Sequence, residues 1–341
     1  MNSNDIHSIR AGLQAHISVR LGFVLMPQFA MGAFAAFTDL LGLLDSQTDT
    51  LGPCSWEVVA DTLIPVRSAS GVQVVPTDLL GDPLRFDYIV VVGGLQAPAD
   101  PARPGLLAWL RQAARGGRHL AALCNGVFAL AQAGVASGYR LCIGGHLYRD
   151  FIERHPAWPP DRLVTDRPAV FDRRRISCAG GPAVTDVAVR ILARHLPRAD
   201  IQRALRLLQI EAGEPHSQVQ PPPPGVPADS PPALRRAVLL IQQYAGQGLS
   251  LAELSSRLGL SPRQLQRLFR QHLGTTPQAH ARTVRLRLAA WMLRQTDKSI
   301  AAVASDCGFA DAAHMGRAFR AEYGSSPGAW RRQADPQENT V

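Results

Sequence analysis

Residues 251–330 carry the same unit twice, and no other stretch restricts the fold as strongly. The first copy, LAELSSRLGLSPRQLQRLFRQHLG, covers 251–274, and the second, SIAAVASDCGFADAAHMGRAFRAEYG, covers 299–324. In each, a short helix with an early Ala (Ala252, Ala302) is ended by Gly (Gly259, Gly308), which enters the left-handed region without a Cβ clash. A large apolar residue follows (Leu260, Phe309), then a polar helix start, Ser261-Pro262 or Asp311. Ser and Asp suit an N-cap, and Pro is tolerated at the first helical position. Each second helix holds an Arg two residues before a Phe (Arg267 and Phe269, Arg317 and Phe319) and closes on Gly. Two helices across a glycine turn, repeated, make a doubled helix-turn-helix signature.

Charge falls on the same part of the chain. Of 36 Lys+Arg and 27 Asp+Glu, 15 and 7 lie from Pro231 onward, which leaves 21 and 20 for the rest. Nearly all of the net +9 therefore sits on the doubled motif, as a phosphate-binding surface requires. Solvated helix faces ordinarily mix both signs instead. All the basic residues but Lys298 are Arg, whose guanidinium can fork onto guanine.

The part ahead of the motif reads differently. Residues 16–26 (HISVRLGFVLM) form an apolar run ended by Pro27, and 86–92 (FDYIVVV) another ended by Gly93-Gly94; such runs are buried strands. Helical spacing follows the first at 29–44, and amphipathic or apolar helices are expected at 103–115, 125–133, from Gly180-Gly181-Pro182 to about His195, and at 201–210. Further strands are expected at 56–60, 119–123, 139–143, 163–166, 170–172 and 175–179, with a hairpin near 71–75. Alternation of strand and helix predicts an α/β fold with a parallel sheet and helices on both faces. Residues 215–232 hold PPPPGVP and PADSPP, an extended linker by composition. The expected organisation is a loose tail at 1–16, an α/β domain at 17–212, a Pro-rich linker at 213–232, an all-α double helix-turn-helix domain at 233–333 and a tail at 334–341. A chain of 341 residues is long enough for both cores.

The five cysteines (Cys54, Cys124, Cys142, Cys178, Cys307) are scattered with no CxxC spacing. Neither a disulfide framework nor a zinc site is expected, and a reducing cytoplasm suits the pattern. No signal pattern or bilayer-length apolar run appears, and nothing calls for a cofactor or metal. Cys124 stands out because it lies between a strand and a helix in LAALCNGVFALA, with Gly126 permitting close packing. This is nucleophile-elbow-like, and a helix N-terminus there would lower the thiol pKa and offer N–H groups to an anion. His146 after the next strand and Asp39 on the first helix could approach the same sheet end, where ligands of open α/β sheets bind. Asp186 could be a pocket carboxylate for a cationic ligand, or a cap.

The doubled motif resembles the DNA-binding domain of the AraC/XylS family of transcription regulators, most tightly at Ser299-Ile300-Ala301, Gly308-Phe309, Phe319-Arg320 and Gly324-Ser325-Ser326-Pro327 ahead of Trp330. Residues 17–212 resemble the class I glutamine-amidotransferase-like domain of the intracellular-protease superfamily, which implies a flavodoxin-like fold. The arrangement as a whole resembles GlxA-type regulators. The resemblance implies a ligand pocket lined by Cys124, Asn125, Asp39 and His146 and bordered by Gly94, Gly180 and Gly181. It also implies a sequence-specific transcription regulator, of the activator kind, controlled by a small metabolite such as an amino acid or quaternary amine. The partners implied are promoter DNA, that effector, a second copy of the chain and RNA polymerase.

Peptidase relatives carry His where this chain has Asn125, catalytic relatives carry Gly at Ala122, and the acid is more often Glu than Asp39. Each departure counts against a working triad, since a general base must reach the thiol. Three readings of Cys124 stay open: a sensing pocket, an inert structural thiol, and a Cys-dependent hydrolase or amidase with an appended DNA module.

A joining helix over 277–295 spans roughly 30 Å at ~1.5 Å per residue, against about 34 Å between successive major-groove faces. The two second helices are thus expected in adjacent grooves. Arg263, Gln264, Gln266, Arg267 and Arg270 are the candidate DNA contacts on the first, and His314, Arg317 and Arg320 on the second. Arg267 suits guanine and Gln266 adenine. The second helix, with Ala310, Ala312, Ala313 and Gly316 around it, is expected to position phosphates and read shape.

Overall fold

The computed structural model describes residues 19–45, 53–210, 219–220, 225–227 and 229–332. The tails expected at 1–16 and 334–341 lie outside them. Contacts divide the chain between Gln220 and Pro221 into two compact units, each taken by itself below.

The first unit runs β1 (Val19–Leu25), α1 (Met31–Asp45), β2 (Cys54–Ala60), β3 (Val66–Arg67), β4 (Gln73–Val74), β5 (Asp78–Leu79), β6 (Tyr88–Val92), α2 (Pro104–Arg115), β7 (His119–Leu123), α3 (Val127–Gln132), β8 (Leu141–Cys142), α4 (Tyr148–Arg154), β9 (Leu163–Val164), β10 (Ala169–Asp172), β11 (Arg175–Cys178), α5 (Ala183–Leu192) and α6 (Arg198–Leu207). Seven strands form one sheet in the order β10-β11-β7-β6-β1-β2-β5. Every pairing is parallel except β10 with β11. From β2 through β11 this is the flavodoxin-like order, with its topological switch between β1 and β6.

The continuous apolar run at β6 is explained by burial on both faces. Tyr88, Val90 and Val92 join a core with Phe34, Phe37 and Leu41 of α1 and Val184, Val187 and Ile191 of α5. The intervening Ile89 and Val91 join the opposite core with Trp109 and Leu110 of α2 and Phe128 after β7. A side-chain period of two sends alternate residues to opposite faces, so neither face can tolerate a polar strand.

Three expectations change at this level. The strands read at 139–143 and 163–166 shrink to β8 and β9, which pair with each other outside the main sheet. The helix read from 125 begins with a single 3-10 turn at Cys124–Gly126. The β5 edge strand and α4 had no expectation attached to them.

The second unit is all-helical: α7 (Pro232–Gln243), α8 (Leu251–Leu258), α9 (Pro262–Leu273), α10 (Pro277–Gln295), α11 (Ile300–Asp306), α12 (Ala312–Tyr323) and α13 (Pro327–Arg332). Its caps follow the sequence signals. Ser250 and Ser261 form reciprocal capping boxes with Glu253 and Gln264, which satisfy two orphan backbone donors at each helix start. Asp311 accepts from the His314 N–H. Gly259, Gly274, Gly308 and Gly324 all have positive φ. The two helix-turn-helix halves have separate cores. Leu254, Leu265 and Phe269 pack on Leu234, Val238 and Ile241 of α7, while Val303, Met315 and Phe319 pack on Leu286, Ala289 and Leu293 of α10.

Candidate functional site

At the carboxyl end of β7 the chain turns sharply through Cys124, whose φ is +55°. A non-Gly residue there is held in the left-handed region only when its surroundings compel it. The compulsion is visible in the glycines around it. A Cβ at Gly126 would collide with the Val91 carbonyl, and one at Gly93 with Asn125 and the Gly126 nitrogen. A Cβ at Gly180, itself at φ +107°, would stand 2.8 Å from the Cys124 sulfur. Gly93, Gly94, Gly126 and Gly180 therefore make the space in which the elbow exists.

Asn125 holds this turn together. Its backbone N–H donates to the Gly94 carbonyl (3.1 Å), its Oδ1 accepts from the Gly94 N–H (2.7 Å), and its Nδ2 donates to the Gln96 carbonyl. At 7% exposure the carboxamide clamps the loop after β6. A histidine here, as in peptidase relatives, could not make this set of bonds, because it lacks an amide oxygen beside an NH₂.

The thiol is not activated. Cys124 is 1% exposed, and burial pushes its pKa up to about 11, against the expected lowering. Desolvation penalises the thiolate, and the six-residue α3 behind a 3-10 turn offers too short a dipole to offset it. Among the described residues no hydrogen bond joins the Cys124 sulfur to a base. His146 is exposed and donates from Nε2 to the Leu95 carbonyl at 2.7 Å, so it stands at the rim of the loop rather than on the thiol. Asp39 is a correction. α1 buries Ala33, Phe34, Phe37, Leu40, Leu41 and Leu44, which leaves Asp39 exposed on the opposite face, turned from the sheet by helical periodicity.

The residues that do approach the elbow were partly unforeseen. Gln28, in the turn after β1, has φ +60°, and its carbonyl would meet a Cβ at Gly94; a left-handed glutamine has no sequence signal. Cys178 pairs in register with Leu123 and accepts from the Gly180 N–H at 3.3 Å, while burial raises its pKa to about 12. Its signal was the ISCAGG segment at the end of a strand. Asp186, in the first turn of α5, interacts electrostatically with Cys178. Its Oδ2 is buried without a hydrogen-bond partner among the described residues, and burial raises its carboxyl above the usual range. Gly181, at φ +62°, leads into the same helix. The described residues contain no group of three or more His, Cys, Asp or Glu able to hold a metal.

On the helix-turn-helix halves, Arg263, Arg267 and Arg270 are exposed along one face of α9, and His314, Arg317 and Arg320 along one face of α12. Among the described residues none of these five guanidiniums is engaged in a hydrogen bond or ion pair. In the first unit, by contrast, Arg85 bridges Glu57 and Asp78, and Arg175 is buried against the Val135 carbonyl at 2.7 Å. Two glutamines differ from expectation. The Gln264 carboxamide oxygen accepts from the Ser261 N–H and hydroxyl (2.9 and 3.0 Å), so it closes a capping box rather than reaching outward. Gln266 is half-buried.

Comparison with known proteins agrees with this division. The DJ-1/PfpI family pattern matches residues 44–193 and a helix-turn-helix domain pattern matches 254–333. The chain is 33% identical over 242 residues to the HTH-type transcriptional regulator ArgR of Pseudomonas aeruginosa, covering 70% of this chain and 71% of that one. It is 29% identical over 311 residues to the HTH-type transcriptional regulator CdhR of the same organism, covering 89% of each. Among solved structures it resembles an AraC family transcriptional regulator from Pseudomonas putida, at 25% identity and a TM-score of 0.48, covering 56% of this chain and 99% of that one.

Proposed function

This chain belongs to the HTH-type transcriptional regulators that place a DJ-1/PfpI domain ahead of an AraC-type DNA-binding domain, and from that premise we propose that it is a metabolite-responsive activator with no hydrolytic activity. The observation that carries the reading is the elbow itself. Cys124 keeps the strained backbone of a nucleophile, but its thiol is buried with its pKa raised, and among the described residues no base is hydrogen-bonded to it. Such a site retains shape without reactivity, which suits recognition of a small molecule. Gly94, Asn125, Gly180 and Gly181 border it, His146 lies at its rim, and Asp186, half-buried with its Oδ2 shielded from solvent, supplies a carboxylate for a cationic group. A small amine, amino acid or quaternary amine fits that set.

DNA is held through the free guanidiniums of α9 and α12, with both helices entering successive major grooves of a promoter in the cytoplasm. Leu63, Ile64, Val72 and Val75, in and around the β3–β4 hairpin, are each exposed, and a homodimer would cover apolar side chains of this kind. Contact with RNA polymerase completes the activator reading.

The test is thermal melting of the full chain against a panel of amino acids and quaternary amines. A native-state ligand raises the melting temperature with its concentration, and Asp186→Asn is expected to abolish the rise for cationic hits. Iodoacetamide labelling of Cys124 is expected to be slow at pH 7 and to accelerate only as pH climbs toward 11, since a raised thiol pKa leaves the neutral form dominant below it. Fast labelling at pH 7 accompanied by amide or ester hydrolysis would replace the sensor reading with the hydrolase.

A further inference from the structure

Composition places Gln220 in an exposed linker, immediately before four consecutive prolines. The structure places it inside the first unit, 4% exposed. Its carboxamide is almost fully used. Nε2 donates to the carbonyls of Ile143 and Arg167, both at 2.9 Å, and lies 3.8 Å from the Cys142 sulfur. Oε1 accepts from the Gly145 N–H at 3.1 Å. Two carbonyls on one side and an N–H on the other admit only one orientation of the amide. A long polar side chain gives up rotamer entropy when buried, and it stays buried only where its hydrogen bonds are met. This socket meets them.

The socket is also one step from the elbow. Gly145 precedes His146, which is bonded to the Leu95 carbonyl. Leu95 lies between Gly94 and Gln96, the two residues clamped by the Asn125 side chain. Hydrogen bonds thus run from Asn125 to the 94–96 loop, from that loop to His146, and from the adjoining Gly145 to Gln220, after which the chain enters the prolines.

We propose that Gln220 is a latch that fastens the start of the linker to the sensing unit and that its closure is coupled to the state of the Cys124 elbow. The coupling rests on the reading of that elbow as the effector pocket; the latch does not. A ligand that binds differently to the latched and unlatched forms shifts the balance between them. Gln220 immediately precedes the chain that leads to the second unit, so freeing it moves the point at which that chain leaves the first unit.

The experiment is amide hydrogen exchange at Gly145 in the full chain without any effector, so that an unknown ligand cannot confound it. Gln220→Ala is expected to speed exchange about tenfold, the loss of one neutral hydrogen bond. Gln220→Glu keeps the volume but faces two carbonyls with a carboxylate. Relative to the native chain at the same pH, it is expected to speed exchange at pH 7 and to recover as acid protonates the carboxyl. That recovery separates latch chemistry from misfolding. His146→Ala is expected to speed exchange at Gly145 when Gln220 is present and to add nothing in the Gln220→Ala background. Native-like exchange at Gly145 in both Gln220 variants overturns the latch. Additive effects of His146→Ala and Gln220→Ala overturn its coupling to the elbow. Failure of the ligand panel with these results intact would overturn the effector reading and leave the latch standing.

Discussion

The two helix-turn-helix halves bury the same positions and expose different chemistry. Leu265 and Phe269 are the buried residues of α9, and Met315 and Phe319, each fifty positions later, are those of α12. On the outer face the halves agree in two places, Arg267 with Arg317 and Arg270 with Arg320. They part at Arg263 against Ala313, Gln264 against His314 and Gln266 against Gly316. Packing is thus duplicated while the groove-facing groups are not. Of the shared arginines, Arg270 and Arg320 suit the part of binding that any sequence offers, the phosphates, while Arg267 suits a guanine edge. Of the groups found only in the first half, Arg263 is exposed and suits bases, whereas Gln264 closes the capping box and Gln266 is half-buried.

The largest expected effect tests the duplicated packing. Phe269 and Phe319 are both fully buried, one against His280 at 5.7 Å and the other against Trp330 at 5.7 Å between ring centroids. Phe269→Ala and Phe319→Ala should each destabilise the second unit by about 3–5 kcal/mol, measured by urea unfolding of the full chain followed at its tryptophans. Similar losses would establish that the cores are equivalent. A large loss in one half alone would mean that its partner is packed only nominally.

Next comes the difference in readout. Arg267→Ala should cost ~1–3 kcal/mol on an operator selected from random DNA and should relax specificity at one position. Arg320→Ala should weaken all sequences alike and reduce the salt slope by about one. Equal, sequence-independent losses for the two variants would erase the distinction between a reading half and an anchoring half.

The second unit was legible almost residue by residue, because each of its signals is local. A Gly at a left-handed position, a Ser or Asp at a cap and an apolar pair four residues apart all act within one or two helical turns. The 277–295 helix was expected with the bounds it has. The parallel sheet was legible for a related reason, since strands buried on both faces must be continuously apolar. The elbow was legible only as a place. Its content depends on contacts between distant segments: Gln28 with Gly94, Gly180 with Cys124, Gln220 with Gly145. No pattern within a single segment records such contacts. Asp39 shows the cost of reading without them. Its type was suitable, but the helical phase set by Phe37, Leu40 and Leu41 turns it outward. The raised thiol pKa was missed for the same reason, because burial is a property of the assembled turn and not of Cys124 beside a helix.

The smallest expected effect concerns how the two reading helices begin. In α9 the cap is neutral and reciprocal, with Ser261 and Gln264 each serving the other's backbone. In α12 it is a single charged acceptor, Asp311, on the His314 N–H. Asp311→Asn keeps a side-chain oxygen for that bond but removes a negative charge from the positive end of the helix, which should lower stability by about 0.3–1 kcal/mol. The same change removes a negative charge from the end of a helix meant to lie among phosphates, so DNA affinity at low salt should rise while stability falls. Gln264→Ala should also lower stability, through the lost reciprocal bond, by about 0.5–1.5 kcal/mol, but with no charge removed it should bring no gain in affinity. Melting of the second unit and DNA titration at two salt concentrations separate these outcomes. Opposite signs for Asp311→Asn with no affinity gain for Gln264→Ala would place the start of α12 at the DNA and trace the gain to the removed charge rather than to a loosened cap. If Asp311→Asn left affinity unchanged at every salt concentration, the start of α12 would lie away from the phosphates, and the second half would be anchored from Arg317 and Arg320 alone.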